Sequence, residues 1–335
     1  MIDVPEPAEE DGPILVETIA LGICGTDREI VSGHYGWLPP GRDRLIIGHE
    51  SIGRVLQVPV DSDVAVGDLV VGIVRHPDPV PCPYCAIGEW DMCSNGRYTE
   101  RGIKQRDGFG SERFRLDPAF AITVDPTLGL LGVLLEPTSV VAKAWDEIDR
   151  IGGRSSAWHP RAVLVTGAGP IGLLATLIAR QRGLEVHVLD RVTSGRKPAL
   201  VRDLGAIYHA SQDTLPRDVA FDVILECTGA TPVIAAVLSR IARAGIVCLI
   251  GVSASGQPYP LDLAHINHHL VLGNNVVVGS VNANRTHFHT AATILSRTDR
   301  HWLAQLVSRR VPLTEWQRAL DYDEDDVKVI LEFRV

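Results

Sequence analysis

Cys24, in Gly-Ile-Cys-Gly-Thr-Asp, and the pair His49-Glu50, in Ile-Ile-Gly-His-Glu-Ser, put a thiol, an imidazole and a carboxylate early in the chain. These are the donor types that bind zinc. Neighbours on a regular strand point to opposite faces, so His49 and Glu50 both reach one metal only if the backbone is irregular there, as Gly48 permits, or if one of them stands behind the ligands. Glu136, in Leu-Leu-Glu-Pro-Thr-Ser-Val, is a carboxylate inside an apolar stretch, where an unpaired charge is costly. It needs a metal or a ligand hydroxyl as partner.

A second group is Cys82, Cys85 and Cys93, in CPYCAIGEWDMC. Three thiols this close in a segment with little apolar burial of its own read as a structural zinc site. The fourth ligand is left open among Asp78, His76 and Asp91.

The third motif begins at Ala162 as Val-Leu-Val-Thr-Gly167-Ala-Gly169-Pro170-Ile171-Gly172, an apolar strand running through GxGxxG into an amphipathic helix. Gly167 permits the tight turn, Gly169 lets a pyrophosphate approach the backbone, Gly172 allows close helix–strand packing, and the helix N-terminus offers N–H groups to the anion. Asp190 closes the following strand, EVHVLD, at the spacing expected of a ribose ligand. Its charge favours NAD. Arg191, with Arg196 and Lys197 beyond it, leaves NADP open.

The elements that must carry these groups differ along the chain. Residues 14–75 alternate short β-rich runs with Gly/Pro/Asp turns, as an antiparallel β domain does. Residues 76–112 lose that rhythm and form a surface lobe. From about Val133 helices alternate with wholly apolar strands, the pattern of a parallel sheet covered on both faces. The expected class is α/β in two parts: a β-rich domain over 1–140 and 285–335, and a doubly wound nucleotide-binding domain over 141–284. A length of 335 residues suits two domains, and 45% hydrophobic with 22% charged residues suits a globular protein. Thirty-two basic against forty-one acidic residues, a net −9, argue against nucleic-acid or membrane partners. The acidic, Pro-rich N-terminus is unlike a signal peptide and the cysteines suit a reducing compartment, so a cytoplasmic protein is expected.

The runs GICGTDREI, GHESIG, CxxC with its later Cys, LLEPTSV, VLVTGAGPIGLL, ECTG and GSVNANRTHF, in this order over nearly the whole chain, resemble the glucose dehydrogenase branch of the zinc-dependent medium-chain dehydrogenases. The resemblance implies a GroES-like catalytic domain, a Rossmann domain, and oxidation of an aldose of the glucose or galactose type at C1 to the lactone. It implies that Cys24, His49 and Glu50 hold the catalytic zinc, that Glu136 is a further ligand or a substrate contact, and that Thr26 passes the proton. It also implies sugar contacts from Glu100, Asn282 and Arg75, and a nicotinamide bordered by Ile250, Gly251, Val252, Ser280, Val281 and Asn282. A homodimer or tetramer is expected, with the sheet edge near NVVVGSV as a contact.

Three features depart from that family. The first of its four lobe cysteines falls on Pro79, and Glu29 stands where alcohol dehydrogenases often place the last group of the proton relay. Relatives also have a strand ahead of the run that begins at Met1, so a native start upstream of Met1 is expected. The alternatives are a polyol or secondary-alcohol dehydrogenase, and a nucleotide-binding protein without catalysis.

Overall fold

The computed structural model describes residues 1–253 and 258–333. They form two compact units, Met1–Ser139 with Asn282–Val335, and Val140–Val281.

In the first unit the strands are β1 (Ile14–Ile23), β2 (Glu50–Gln57), β3 (Leu69–Gly72), β4 (Arg75–His76), β5 (Thr99–Arg101), β6 (Gln105–Arg106), β7 (Arg113–Leu116) and β8 (Ala121–Thr123). The second unit holds β9 (Ala162–Thr166), β10 (Glu185–Leu189), β11 (Ile207–His209), β12 (Phe221–Glu226), β13 (Ile241–Leu249) and β14 (Val276–Gly279). The chain then returns to the first unit with β15 (Val307–Pro312) and β16 (Lys328–Glu332).

The main sheet of the first unit runs β15-β16-β1-β2-β3-β8, with β7 also on β1. Along β1 burial alternates at first and then becomes continuous, because Ile14, Val16, Leu21 and Ile23 pack with Val55, Val70, Phe114 and Val329 in the core. The continuously buried end of β1 leads straight to Cys24. β4, β5 and β6 make a separate small sheet that presents Arg75 and Glu100 in register.

The second unit is a six-stranded parallel sheet of order β11-β10-β9-β12-β13-β14, the doubly wound arrangement. Val163, Leu164 and Val165 of β9 are fully buried, as a central strand covered on both faces requires. Among the described residues one stretch, Pro126–Gly152, is long and apolar enough to cross a membrane. Its most apolar window is 72% buried within the protein, the mark of a core helix.

Candidate active site and nucleotide site

Cys24 follows β1 and caps the short helix Gly25–Val31. Its Sγ accepts the Thr26 N–H at 3.2 Å, while the Asp27 carboxylate accepts the Cys24 N–H at 2.9 Å. Gly48, at φ 95°, breaks the strand geometry as its sequence position suggests and turns the buried His49 toward Cys24. Cys24 Sγ and His49 Nε2 lie 3.1 Å apart. Asp27 stands at the other ring nitrogen, 3.3 Å from Nδ1 and without hydrogen-bond geometry.

Glu50 departs from its expected place. Its carboxylate takes Lys328 Nζ at 2.7 and 2.5 Å, both groups buried, and so does not join the Cys24–His49 donors. Gly22, opposite Glu50 in the ladder, makes the room: a Cβ there would sit 2.0 Å from Glu50 Oε2. Asp27 instead lies within 4.8 Å of both donors. Because it stands behind the imidazole, it is placed to orient the ring rather than to complete the donor set.

Burial works to lower the His49 pKa, yet the charges of Asp27 and Cys24 raise it well above the usual value. The surroundings thus favour positive charge at this place, and its sulfur and nitrogen donors suit zinc. Glu136, at the start of the helix Leu135–Gly152, is 8% exposed and feels the charges of His49, Glu50, Lys328 and Asp27. Burial pushes its carboxyl up to about 7, helped by Glu50 and opposed by His49 and Lys328. A carboxyl raised in the fold stabilises below its unfolded pKa, and that contribution is lost as pH rises through about 7. Metal-free protein should lose stability toward neutral pH relative to Glu136→Gln, read from urea midpoints; parallel pH curves for the two would refute this.

The expected sugar contacts meet in one place. Arg75 Nε and Nη2 donate to Glu100 Oε1 at 3.1 and 2.9 Å, and Asn282 Nδ2 donates to the same oxygen at 2.8 Å. Asn282 reaches it from a left-handed backbone, φ 63°. Among the described residues Glu100 Oε2 and the Thr26 hydroxyl take no hydrogen bond. Tyr98 was not foreseen: its ring packs 3.8 Å from the Arg75 guanidinium and stiffens the group.

In the second unit Gly167 adopts φ 87°, a Cβ at Gly172 would collide with the Gly167 carbonyl at 1.7 Å, and one at Gly169 would meet nothing within 4 Å. Gly169 caps the helix Pro170–Gln181, containing Ile171, with no side chain on its first N–H groups, which leaves them to an anion. Asp190 accepts N–H groups from Ala168 at 2.6 Å and Val192 at 3.0 Å, so the turn and the ribose candidate are tied together. Arg191 beside it is exposed. Glu226, which sequence reasoning passed over, is fully buried and accepts from Thr166, Thr228 and Gly229. Its own carbonyl accepts the Ile250 and Gly251 N–H groups, which shapes that edge. Val252 and Val281 are exposed, and Ser280 is held by its N–H on the Leu249 carbonyl.

In the lobe Cys82, Cys85 and Cys93 converge within 4.8 Å. The Cys85 N–H lowers the Cys82 thiol to about 6, and burial raises Cys85 to about 11. Asp78 is not the fourth donor. Its carboxylate is taken by the Val80 N–H, Asn95 and Arg97, because Pro79 turns the chain there and Arg97 supplies a counter-charge. Asp91 bonds Asn284, and His76 stacks on Phe120. Three thiolates fit a zinc ion with one position left to a non-protein ligand.

A GroES-like sheet, a doubly wound nucleotide sheet and a Cys–His donor pair together define a zinc-dependent medium-chain dehydrogenase. Residues 10–126 match the alcohol dehydrogenase GroES-like domain, and residues 129–333 match the glucose dehydrogenase C-terminus. The chain is 38% identical to glucose 1-dehydrogenase 2 of Vulcanisaeta moutnovskia over 99% of its length and 94% of the relative's, and 38% identical to the Methanocella arvoryzae glucose 1-dehydrogenase over 99% and 95%. Haloferax mediterranei glucose dehydrogenase, solved in complex with NADP, Zn and gluconolactone, superposes with a TM-score of 0.91 at 31% identity, covering 100% of this chain and 96% of that one. The chain belongs to the glucose dehydrogenase family.

Proposed function

We propose that this chain oxidises an aldose of the glucose or galactose type at C1 to its lactone, with zinc and NAD(P). The observation that carries this reading is the shared grip of Arg75 and Asn282 on one oxygen of Glu100, which aims a fixed carboxylate at a polyhydroxyl ligand. An apolar alcohol would have no use for it.

Cys24 and His49 hold the catalytic zinc, with Glu136 as the further protein donor and Glu50 kept beside them by Lys328. When bound, the metal would supply Lewis-acid activation of the C1 hydroxyl and the nicotinamide would supply the hydride acceptor. The Thr26 hydroxyl would take the proton of the sugar hydroxyl while passing its own outward to solvent, since a hydroxyl both accepts and donates. Glu100 and Asn282 bind the other sugar hydroxyls, and Asp27 holds the His49 ring. Gly167 to Gly172 and the helix behind them take the pyrophosphate. Asp190 takes the ribose and favours NAD, with NADP accepted, as the NADP bound by the Haloferax relative encourages.

Reduced-nicotinamide formation across aldoses, polyols and simple alcohols, with each cofactor, tests the reading. Glu100→Ala should raise KM for glucose by about 10- to 100-fold and leave KM for the cofactor unchanged. Turnover confined to polyols, or an unchanged glucose KM in the variant, would overturn it.

The partner is a second copy of the chain. β14 is an edge of the parallel sheet, and the helix Leu263–Gly273 buries only Gly273 while leaving Leu263, Val271 and Leu272 exposed. Such an edge invites isologous pairing. Val277→Lys, on β14, should sediment as a smaller species than wild type; identical sedimentation would refute the contact. Six free thiols suit a reducing compartment, which supports a cytoplasmic location.

A further inference from the structure

We infer that Arg101 and Arg106 jointly bind a chloride-sized anion in the first unit. Arg101 and Arg106 are direct partners in the ladder of β5 and β6, and the Arg106 charge reaches the Arg101 guanidinium. Arg101 is 3% exposed. Its Nη1 and Nη2 donate to the carbonyls of Asp107 and Arg115, at 3.3 and 2.9 Å, and its buried Nε has no partner. The Arg106 Nε is likewise buried and unpartnered. Among the described residues the Arg106 guanidinium makes no hydrogen bond and no ion pair.

The carboxylates whose charges reach this pair are Asp11, Asp107 and Asp117. None stands within ion-pair distance of either guanidinium: Asp107 is spent on Arg42 and the Ile46 N–H, and Asp117 caps the Ala119 N–H. Burial and the neighbouring Arg106 pull Arg101 down to about 9, a sign that its charge is poorly compensated. Nearby, His76 Nε2 and Trp90 Nε1 are also buried without partners, and both rings pack on Phe120. Burial and the two arginines push His76 to about 2, so it stays neutral and adds no third cation.

Guanidinium groups only donate, and the two orphaned Nε–H groups, one on the buried Arg101 and one on the half-buried Arg106, lack both an acceptor and a negative charge. A bridging water supplies the acceptor alone. A small anion supplies both, and a monatomic one accepts from donors that diverge. Its place is not incidental. Arg101 follows Glu100 on β5 and points from the opposite face, so the anion would hold the strand that carries the sugar-directed carboxylate.

Thermal unfolding of the zinc-loaded protein, with chloride exchanged for bulky isethionate at constant ionic strength, tests the site. The midpoint should rise with chloride and saturate in wild type, and Arg106→Gln should lose that dependence. Crystals grown in bromide should show an anomalous peak between the two Nε atoms. Equal chloride responses in wild type and variant, or no bromide between the arginines, would overturn the inference. Should Arg106→Gln fail to fold, the bromide experiment on wild type decides alone.

Discussion

Cys24→Ser is expected to lose at least about a thousandfold in kcat/KM for glucose, since it removes a proposed zinc donor and with it the charge stabilisation that metal would give the reacting oxygen. Serine keeps an oxygen able to accept the Thr26 N–H, so the helix cap survives and the loss reports on metal binding rather than on folding. Chelation of wild type should reproduce the loss, and added zinc should restore wild type but not the variant. Metal analysis supplies a readout independent of turnover, as the variant should retain less zinc than wild type after identical dialysis. Near-normal activity of chelated Cys24→Ser protein would show that these donors hold no catalytic metal.

The largest expected stability effect lies at Lys328. It is fully buried and places its ammonium on both oxygens of Glu50, itself 2% exposed. Lys328→Met strands a buried carboxylate, which costs about 3–5 kcal/mol. Burial tends to lower the Lys328 pKa, but Glu50 and Cys24 override it and hold the residue charged. In the double variant Glu50→Gln/Lys328→Met neither charge remains, and most of the stability should return. Urea unfolding of zinc-loaded samples measures this. A single variant as stable as wild type, or a double variant no better than the single, would show that the pair contributes little.

Composition and periodicity alone made the two-part α/β architecture legible, because continuous apolar strands between helices admit little besides a parallel sheet, and alternating strands with turns indicate an antiparallel one. The glycine turn after β9 was equally readable. Gly167 and Gly172 answer to local backbone geometry, and local geometry is written in local sequence. The approach of Cys24 to His49 followed from donor chemistry and from the strand break at Gly48.

Tertiary structure decided the rest. Which carboxylate stands beside His49 depended on Lys328, 278 residues from Glu50, and on the missing Cβ of Gly22. Neither is visible near His49 in the chain. Asp78 precedes the lobe cysteines closely enough to serve them, yet the chain bends so that Asn95 and Arg97 claim it first. Glu100 and Asn282, 182 residues apart, could be matched only by family likeness until the fold brought them within a hydrogen bond. Sequence spacing settles contacts within a turn or a helix. Contacts between distant segments depend on register and on which counter-charge arrives first, and those exist only once the chain has folded.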